Sequence, residues 1–353
     1  MKKFAVGLLG CTGVVGQRFV QALSAHPFFD LRVLAASPES AGQRYKKVGK
    51  WKLEGEIPEK FRDQVVENLG IKALRTEGVE IVFSALPSEV AKRVENEFAK
   101  HGFKVFSNAS AFRMHPQIPI LVPEVNPEHL ELINQKKKEA KGFIVTNPNC
   151  AVAGLVLGLK PLTGFGIKSV FVTTYQALSG AGYPGVASLD ILGNVIPYIK
   201  GEEEKVEEET KKILGTLGAG EISPAKLDIA ASCARVPVRD GHLESVVVEL
   251  EKDVNIEAIK KAMQDFKGVP QAKNLPTAPE KPILVLKEEN RPQPLLDAYA
   301  GEPKRARGMA ISIGGIKKAG RKIRFFLLVH NTIRGAAGCS VLNAELAYEQ
   351  KRL

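Results

Sequence analysis

The sequence predicts an α/β protein in which a nucleotide-binding domain is followed by a second domain on a mixed or antiparallel sheet. Three observations predict it. Short apolar runs alternate with amphipathic stretches through the first half, a glycine-rich segment joins the first such run to the first helical stretch, and the later strands are longer and alternate in polarity. The chain's 353 residues suffice for two ordinary domains.

Residues 4–9 read as the first strand, 16–25 as a helix, 31–36 as the second strand and 79–85 as a later one. Residues 89–101 have helical spacing and 104–106 follow as a strand. Met1-Lys2-Lys3 before an apolar run has the outline of a leader peptide, but Gly7 and Gly10 interrupt that run; a strand in a cytoplasmic protein is the better reading. Residues 143–146 form a strand that passes through Asn147-Pro148-Asn149-Cys150 into a helix over 151–159. In the second domain, 169–176, 229–235, 243–249, 308–316 and 323–329 read as strands. The proline-rich stretch 270–294 reads as an extended surface connection, and 336–351 as an amphipathic helix.

Fifty basic residues against thirty-nine acidic ones leave a net charge of +11. The cations are dispersed and no basic stripe is interleaved with aromatics, which favours a small anionic ligand over nucleic acid or a membrane surface. No apolar run reaches the roughly 18 residues that span a bilayer. Cys11, Cys150, Cys233 and Cys339 are too scattered for a disulfide framework or a metal site.

The segment Gly10-Cys11-Thr12-Gly13-Val14-Val15-Gly16 follows a strand and opens a helix, the context in which backbone amides cradle a pyrophosphate. At the end of the second strand, Ala35-Ala36-Ser37-Pro38-Glu39-Ser40 places no acid at the tip to bond a ribose 2′-hydroxyl. Ser37 and Ser40, with Arg44, Lys46 and Lys47 close by, suit a 2′-phosphate, so NADP is favoured over NAD. Cys150 stands at a helix start, where amides and the helix dipole stabilise a thiolate or an oxyanion. His242 lies in a turn ahead of a strand and is the first candidate partner; His330, at a strand end, is the second. His26, His101, His115 and His129 read as solvated.

Six segments, taken together, resemble the aspartate-semialdehyde dehydrogenases of the archaeal and fungal branch. They are the glycine loop, Ser107-Asn108-Ala109-Ser110, Leu121-Val122-Pro123-Glu124-Val125-Asn126, Thr146-Asn147-Pro148-Asn149-Cys150, Ser179-Gly180-Ala181-Gly182-Tyr183 and Arg235-Val236-Pro237-Val238-Arg239-Asp240-Gly241-His242. The resemblance implies a Rossmann-like NADP-binding domain over 1–149, completed by a helix from 332–353, and a catalytic and dimerisation domain over 150–331. It implies NADP-dependent, reversible conversion of L-4-aspartyl phosphate to L-aspartate 4-semialdehyde and phosphate by a homo-oligomer, with no metal. Cys150 would be the nucleophile, His242 would take the thiol proton and later handle the hemiacetal proton, and Gln176 would orient the substrate. Arg235 would grip the α-carboxylate, Glu202 the amino group, and Lys205, Arg113 and Asn149 the phosphate. Gly10, Thr12, Gly13, Val14, Val15, Ser37, Ser40, Ser179, Gly180, Gly182 and Asn331 would line the cofactor. Two other readings compete: a malonyl- or succinyl-coenzyme A reductase on the same scaffold, and a basic nucleotide- or RNA-binding protein without catalysis.

Overall fold

The computed structural model describes residues 3–136 and 142–353; Met1 and Lys2 of the amino-terminal reading lie outside them. Strands β1 (Phe4–Leu9), β2 (Phe29–Ala35), β3 (Ile81–Ser84), β4 (Lys104–Ser107) and β5 (Phe143–Thr146) form an all-parallel sheet in the order β2-β1-β3-β4-β5. Its strands are near-continuous apolar runs because both faces are covered. One face packs Val6, Leu8, Phe19 and Phe83 with Val341, Leu342 and Leu346 of the last helix, Gly338–Glu349; the other packs Leu9 and Val82 with Val94 and Phe98 of the helix Ser88–Lys100. The chain thus returns at its end to close the first domain.

The second sheet uses β6 (Ile167–Gln176), β9 (Asp228–Arg235), β10 (His242–Leu250), β11 (Ile283–Val285), β12 (Ile311–Ala319) and β13 (Lys322–Val329) in the order β11-β12-β13-β10-β6-β9; β7 (Thr216–Leu217) and β8 (Ile222–Ser223) make a separate ribbon. Two pairings, β6 with β9 and β11 with β12, are parallel and the others antiparallel, so the sheet is mixed. The helix Cys150–Leu159 lies against it unusually closely. A Cβ on Gly154 would meet Val329 at 2.7 Å and one on Gly158 would meet Leu327 at 2.6 Å, so the glycines four apart let this helix sink onto β13.

Three sequence expectations change. The stretch 270–294 is not merely a surface connection: Leu275 and Ala278 enter the first domain's core, and β11 pairs with β12. Pro270 and Pro294 sit in the first turns of short helices and Pro282 just ahead of β11, where no ladder N–H is lost. The last helix is buried on all sides from Gly338 to Ala347 rather than amphipathic. His26 and His129 are buried and bonded, not solvated: His26 Nε2 lies 2.7 Å from Glu345 Oε1, and His129 Nε2 lies 3.1 Å from the Gly215 carbonyl.

Candidate active site

Cys150 opens its helix immediately after β5, and Asn149 caps it: the Asn149 Oδ1 accepts from Ala151 N at 2.8 Å and from Val152 N at 3.4 Å. The side-chain amide of Asn149 is left to donate to Glu202 Oε1 at 2.8 Å, and its backbone N–H donates to Glu209 Oε2 at 2.6 Å. Both carboxylates come from one helix, Glu202–Ile213, seven residues apart and hence on one face. Gln176, the last residue of β6, donates to the same Glu202 oxygen at 2.9 Å, while Lys205 Nζ stands 3.6 Å from the other. Glu202 is therefore the hub that joins Asn149, Gln176 and Lys205 behind the cysteine.

His242 begins β10 and is fully buried, with Nε2 3.2 Å from Cys150 Sγ and Nδ1 accepting the Ala177 N–H at 3.0 Å. Arg235, at the end of β9 and in register with Gln176, donates through Nη1 to the Ala177 carbonyl at 2.7 Å. Gly180 fills the space between them: a Cβ there would meet Arg235 Nη1 at 2.8 Å and His242 Cε1 at 3.0 Å. Arg113 donates to Glu209 at 2.9 Å and to the Asn108 carbonyl at 2.8 Å, which leaves its buried Nε without a protein partner among the described residues. His330, the second histidine candidate, stands edge-on to Tyr299, and neither of its ring nitrogens has a hydrogen-bond partner among the described residues.

Burial, with the Glu202 charge, pushes the Cys150 thiol up to about 12; Arg113, Arg235 and the Ala151 amide pull the other way. The expected thiolate stabilisation at the helix start is therefore outweighed in the free protein. Burial also takes His242 down to about 3, helped by the neighbouring Arg235 and His330, so its imidazole is neutral at physiological pH.

A cavity of about 520 Å³ beside the glycine loop is lined by Thr12, Val14, Ser40, Lys47, Lys50, Lys52 and Tyr183 among others. A second, of about 420 Å³, shares Val14, Lys52 and Tyr183 with it and continues to Ser179, Gly182 and Asp240. The loop itself has Gly10 at φ +82°, and a Cβ on Gly16 would strike the Gly10 carbonyl at 2.1 Å, so the turn requires both glycines. The two cavities and the loop fit a dinucleotide running from the Ser40 end to the Ser179 end. Asn331 braces that far end, donating to Ser179 Oγ at 2.7 Å and accepting from Gly241 N at 2.9 Å. Other expected positions fall elsewhere: Val15 packs on the core, Ser37 bonds Glu39, and Arg44 and Lys46 are both paired with Asp63 at 2.7 Å. Only Lys47 of that basic trio lines the cavity, joined by Lys50 and Lys52.

Sequence reasoning missed Glu209, Gly335 and the Glu124–Arg334 pair. The seven-residue spacing to Glu202 was the available signal for Glu209. Gly335 lies against the cysteine, since a Cβ there would meet Cys150 O, Cα and Cβ at 2.8–2.9 Å. Its neighbour Arg334 forms a fully buried bidentate pair with Glu124 at 2.8 and 2.7 Å.

Residues 5–133 match the family described as semialdehyde dehydrogenase, NAD binding domain, and residues 159–334 match its dimerisation domain. The chain is 50% identical over 352 residues to an aspartate-semialdehyde dehydrogenase of Archaeoglobus fulgidus, covering 99% of each chain. It is 40% identical over 349 residues to an NADP malonyl-CoA reductase of Metallosphaera sedula, covering 97% of this chain and 96% of that one. The crystal structure of aspartate semialdehyde dehydrogenase with NADP from Candida albicans superposes with a TM-score of 0.90 at 38% identity, covering 100% of both chains.

Proposed function

This chain belongs to the aspartate-semialdehyde dehydrogenase family, and from that premise we propose that it interconverts L-4-aspartyl phosphate with L-aspartate 4-semialdehyde and phosphate, using NADP, in the aspartate pathway to lysine, threonine and methionine. The observation that carries the reading is the 3.2 Å contact of Cys150 Sγ with His242, ringed by Asn149, Gln176, Glu202 and Arg235.

Cys150 Sγ bonds to the acyl carbon of the substrate as the carbon–oxygen bond to phosphate breaks, leaving a thioester on the enzyme. The nicotinamide cofactor, when bound, supplies the hydride that reduces this thioester. Cleavage of the C–S bond then releases the aldehyde and returns the sulfur to Cys150. Arg235, a planar donor with one N–H committed to the Ala177 carbonyl, holds the α-carboxylate, and Glu202 the amino group. Arg113, Lys205 and Asn149 hold the phosphate; Arg113 Nε, without a partner among the described residues, is a donor still to spare. Gln176 orients the substrate from the end of β6. Gly10, Gly13, Thr12, Val14 and Ser40 hold the cofactor at one end and Ser179, Gly180, Gly182 and Asn331 at the other. NADP is favoured over NAD by Ser40, Lys47, Lys50 and Lys52 along the cavity, where three cations face one acid, Glu39.

The enzyme works as at least a dimer in the cytoplasm. Support for the dimer comes from Phe171 and Phe326, which stand half-exposed on one face of the second sheet. Its four free thiols suit a reducing compartment.

Phosphate-dependent reduction of NADP⁺, followed at 340 nm with L-aspartate 4-semialdehyde, tests the reading. Coenzyme A with malonate semialdehyde is the rival pair, since a relative of comparable coverage is a malonyl-CoA reductase. Turnover only with phosphate and the amino-acid aldehyde is expected. Turnover only with coenzyme A would move the protein to the acyl-coenzyme A reductases and strip Glu202 and Arg235 of their assigned ligands.

A further inference from the structure

The helix Glu202–Ile213 carries Glu202, Lys205, Glu209 and Lys212 at successive spacings of three, four and three residues, which places all four on one face. The first three contact the residues assigned to the substrate. Lys212 has a different task. It is buried, and its ammonium donates to three backbone carbonyls of the loop that follows β4: Arg113 at 2.5 Å, His115 at 2.8 Å and Ile118 at 2.8 Å. An ammonium has three donors and no acceptor, so this loop saturates Lys212 and leaves it nothing for a ligand.

One helix therefore grips Arg113 at both ends. Lys212 holds its carbonyl, and Glu209, about one turn earlier, holds its guanidinium through Nη1 at 2.9 Å. Nη2 is committed to the Asn108 carbonyl at 2.8 Å, and Nε is the guanidinium nitrogen without a partner among the described residues. The second Glu209 oxygen accepts the Asn149 N–H at 2.6 Å, so the loop bearing Arg113 and the turn bearing Cys150 are set against each other through a single carboxylate. Removal of the Lys212 ammonium acts on one side of this arrangement only. Three buried carbonyls lose their donor together, and the loop must shift or admit water to satisfy them. Cys150, His242 and Arg235 keep their own contacts, with the Asn149 cap on one side and the backbone of Ala177 on the other.

We infer that Lys212 is a positioning residue for phosphate: it holds the Arg113 carbonyl while Glu209 holds the guanidinium, and so aims Arg113 at the phosphate group. This rests on the acyl-phosphate reading given above and deepens it, because phosphate affinity then depends on a lysine that touches no ligand. The amino-acid end of the substrate, held by Arg235 and Glu202, does not share that dependence.

Initial rates at varied inorganic phosphate test it. Lys212→Met should raise KM for phosphate about 10- to 100-fold, the effect of losing a hydrogen bond to a charged group, while KM for the aldehyde, KM for NADP⁺ and kcat at saturating phosphate stay within about threefold. Lys211→Met removes the same charge from the neighbouring, half-buried position and should leave all four unchanged. In an Arg113→Ala background, Lys212→Met should add nothing to KM for phosphate, since Lys212 acts through Arg113; a lysine that only stabilised the fold would add its loss again. Where the methionine variant does not fold, Lys212→Gln, with two N–H donors in place of three, carries the same comparisons. An unchanged KM for phosphate, a loss spread evenly over all substrates, or full additivity with Arg113→Ala would overturn the inference. Should the wild type turn over with coenzyme A and not with phosphate, the proposed function fails, and calorimetric titration of inorganic phosphate decides the inference instead: weaker binding to Lys212→Met than to the wild type supports it, and equal binding, or none to the wild type, overturns it.

Discussion

Replacing Gly335 by alanine should disable the site from outside its list of polar residues. The added Cβ would lie 2.8 Å from the Cys150 carbonyl and 2.9 Å from its Cα and Cβ. Carbon atoms rest at about 3.5–4.0 Å, so the clash demands a shift of roughly 0.6–1.1 Å. Neither partner yields freely. The Gly335 side is anchored by the buried Arg334–Glu124 pair and by its own N–H on the His330 carbonyl at 3.0 Å, and the Cys150 side by Asn149 on Glu202 and Glu209. The sulfur, at the start of its helix, gives way first and leaves the 3.2 Å contact with His242. A misplacement of about 1 Å at a reacting atom costs on the order of 100-fold, so we expect kcat to fall about 10- to 100-fold. Overpacking should cost roughly 1–3 kcal/mol of stability. Initial rates at 340 nm and urea unfolding measure the two, with cofactor affinity as the control that stays unchanged. A variant with kcat within twofold of wild type would refute the claim that Gly335 sets the position of Cys150.

Other expectations are as direct. Cys150→Ser should nearly abolish turnover while leaving cofactor affinity intact by fluorescence titration; substantial residual rate would remove Cys150 as nucleophile. Arg235→Lys should raise KM for the amino-acid aldehyde at least tenfold, because an ammonium cannot serve the Ala177 carbonyl and a carboxylate as a planar fork does; an unchanged KM would sink that role. Arg334→Met should cost about 3–5 kcal/mol in denaturant unfolding by stranding the buried Glu124 carboxylate, and a loss below 1 kcal/mol would contradict it. Glu244, on β10 two residues beyond His242, is fully buried with neither oxygen bonded among the described residues, and burial raises its pKa well above 4.5. The folded state keeps a proton that the unfolded chain releases above pH 4.5, so stability falls by about 1.4 kcal/mol per pH unit from there up to the folded pKa. Glu244→Gln should remove that slope, raising Tm at pH 7 and not at pH 4; parallel pH curves for the two proteins would show the carboxylate to be solvated.

What the sequence disclosed was what lies close together along it. The glycine loop, the helix start at Cys150 and the succession of strands and helices in the first domain are written in contiguous segments, where turn chemistry and side-chain periodicity act directly. The failures share one cause. Polarity was judged from sequence neighbours, whereas burial and pairing are set by chain remote in sequence: Arg113 meets Glu209 across 96 residues, Arg334 meets Glu124 across 210, and His26 meets Glu345 across 319. A histidine among polar neighbours therefore read as solvated, and a buried helix with a few polar residues as amphipathic. Gly335 left no trace because a glycine's reason lies in what a Cβ would strike.

The cysteine shows how far local reasoning reaches and where it turns. A helix start lowers a thiol's pKa by a local field that sequence reveals. Burial of Cys150 and the charge of Glu202, brought in from 52 residues away, outweigh that field and push the thiol up to about 12. The resting thiol is therefore kept protonated, 3.2 Å from the His242 imidazole, by remote contacts that its sequence neighbours do not reveal.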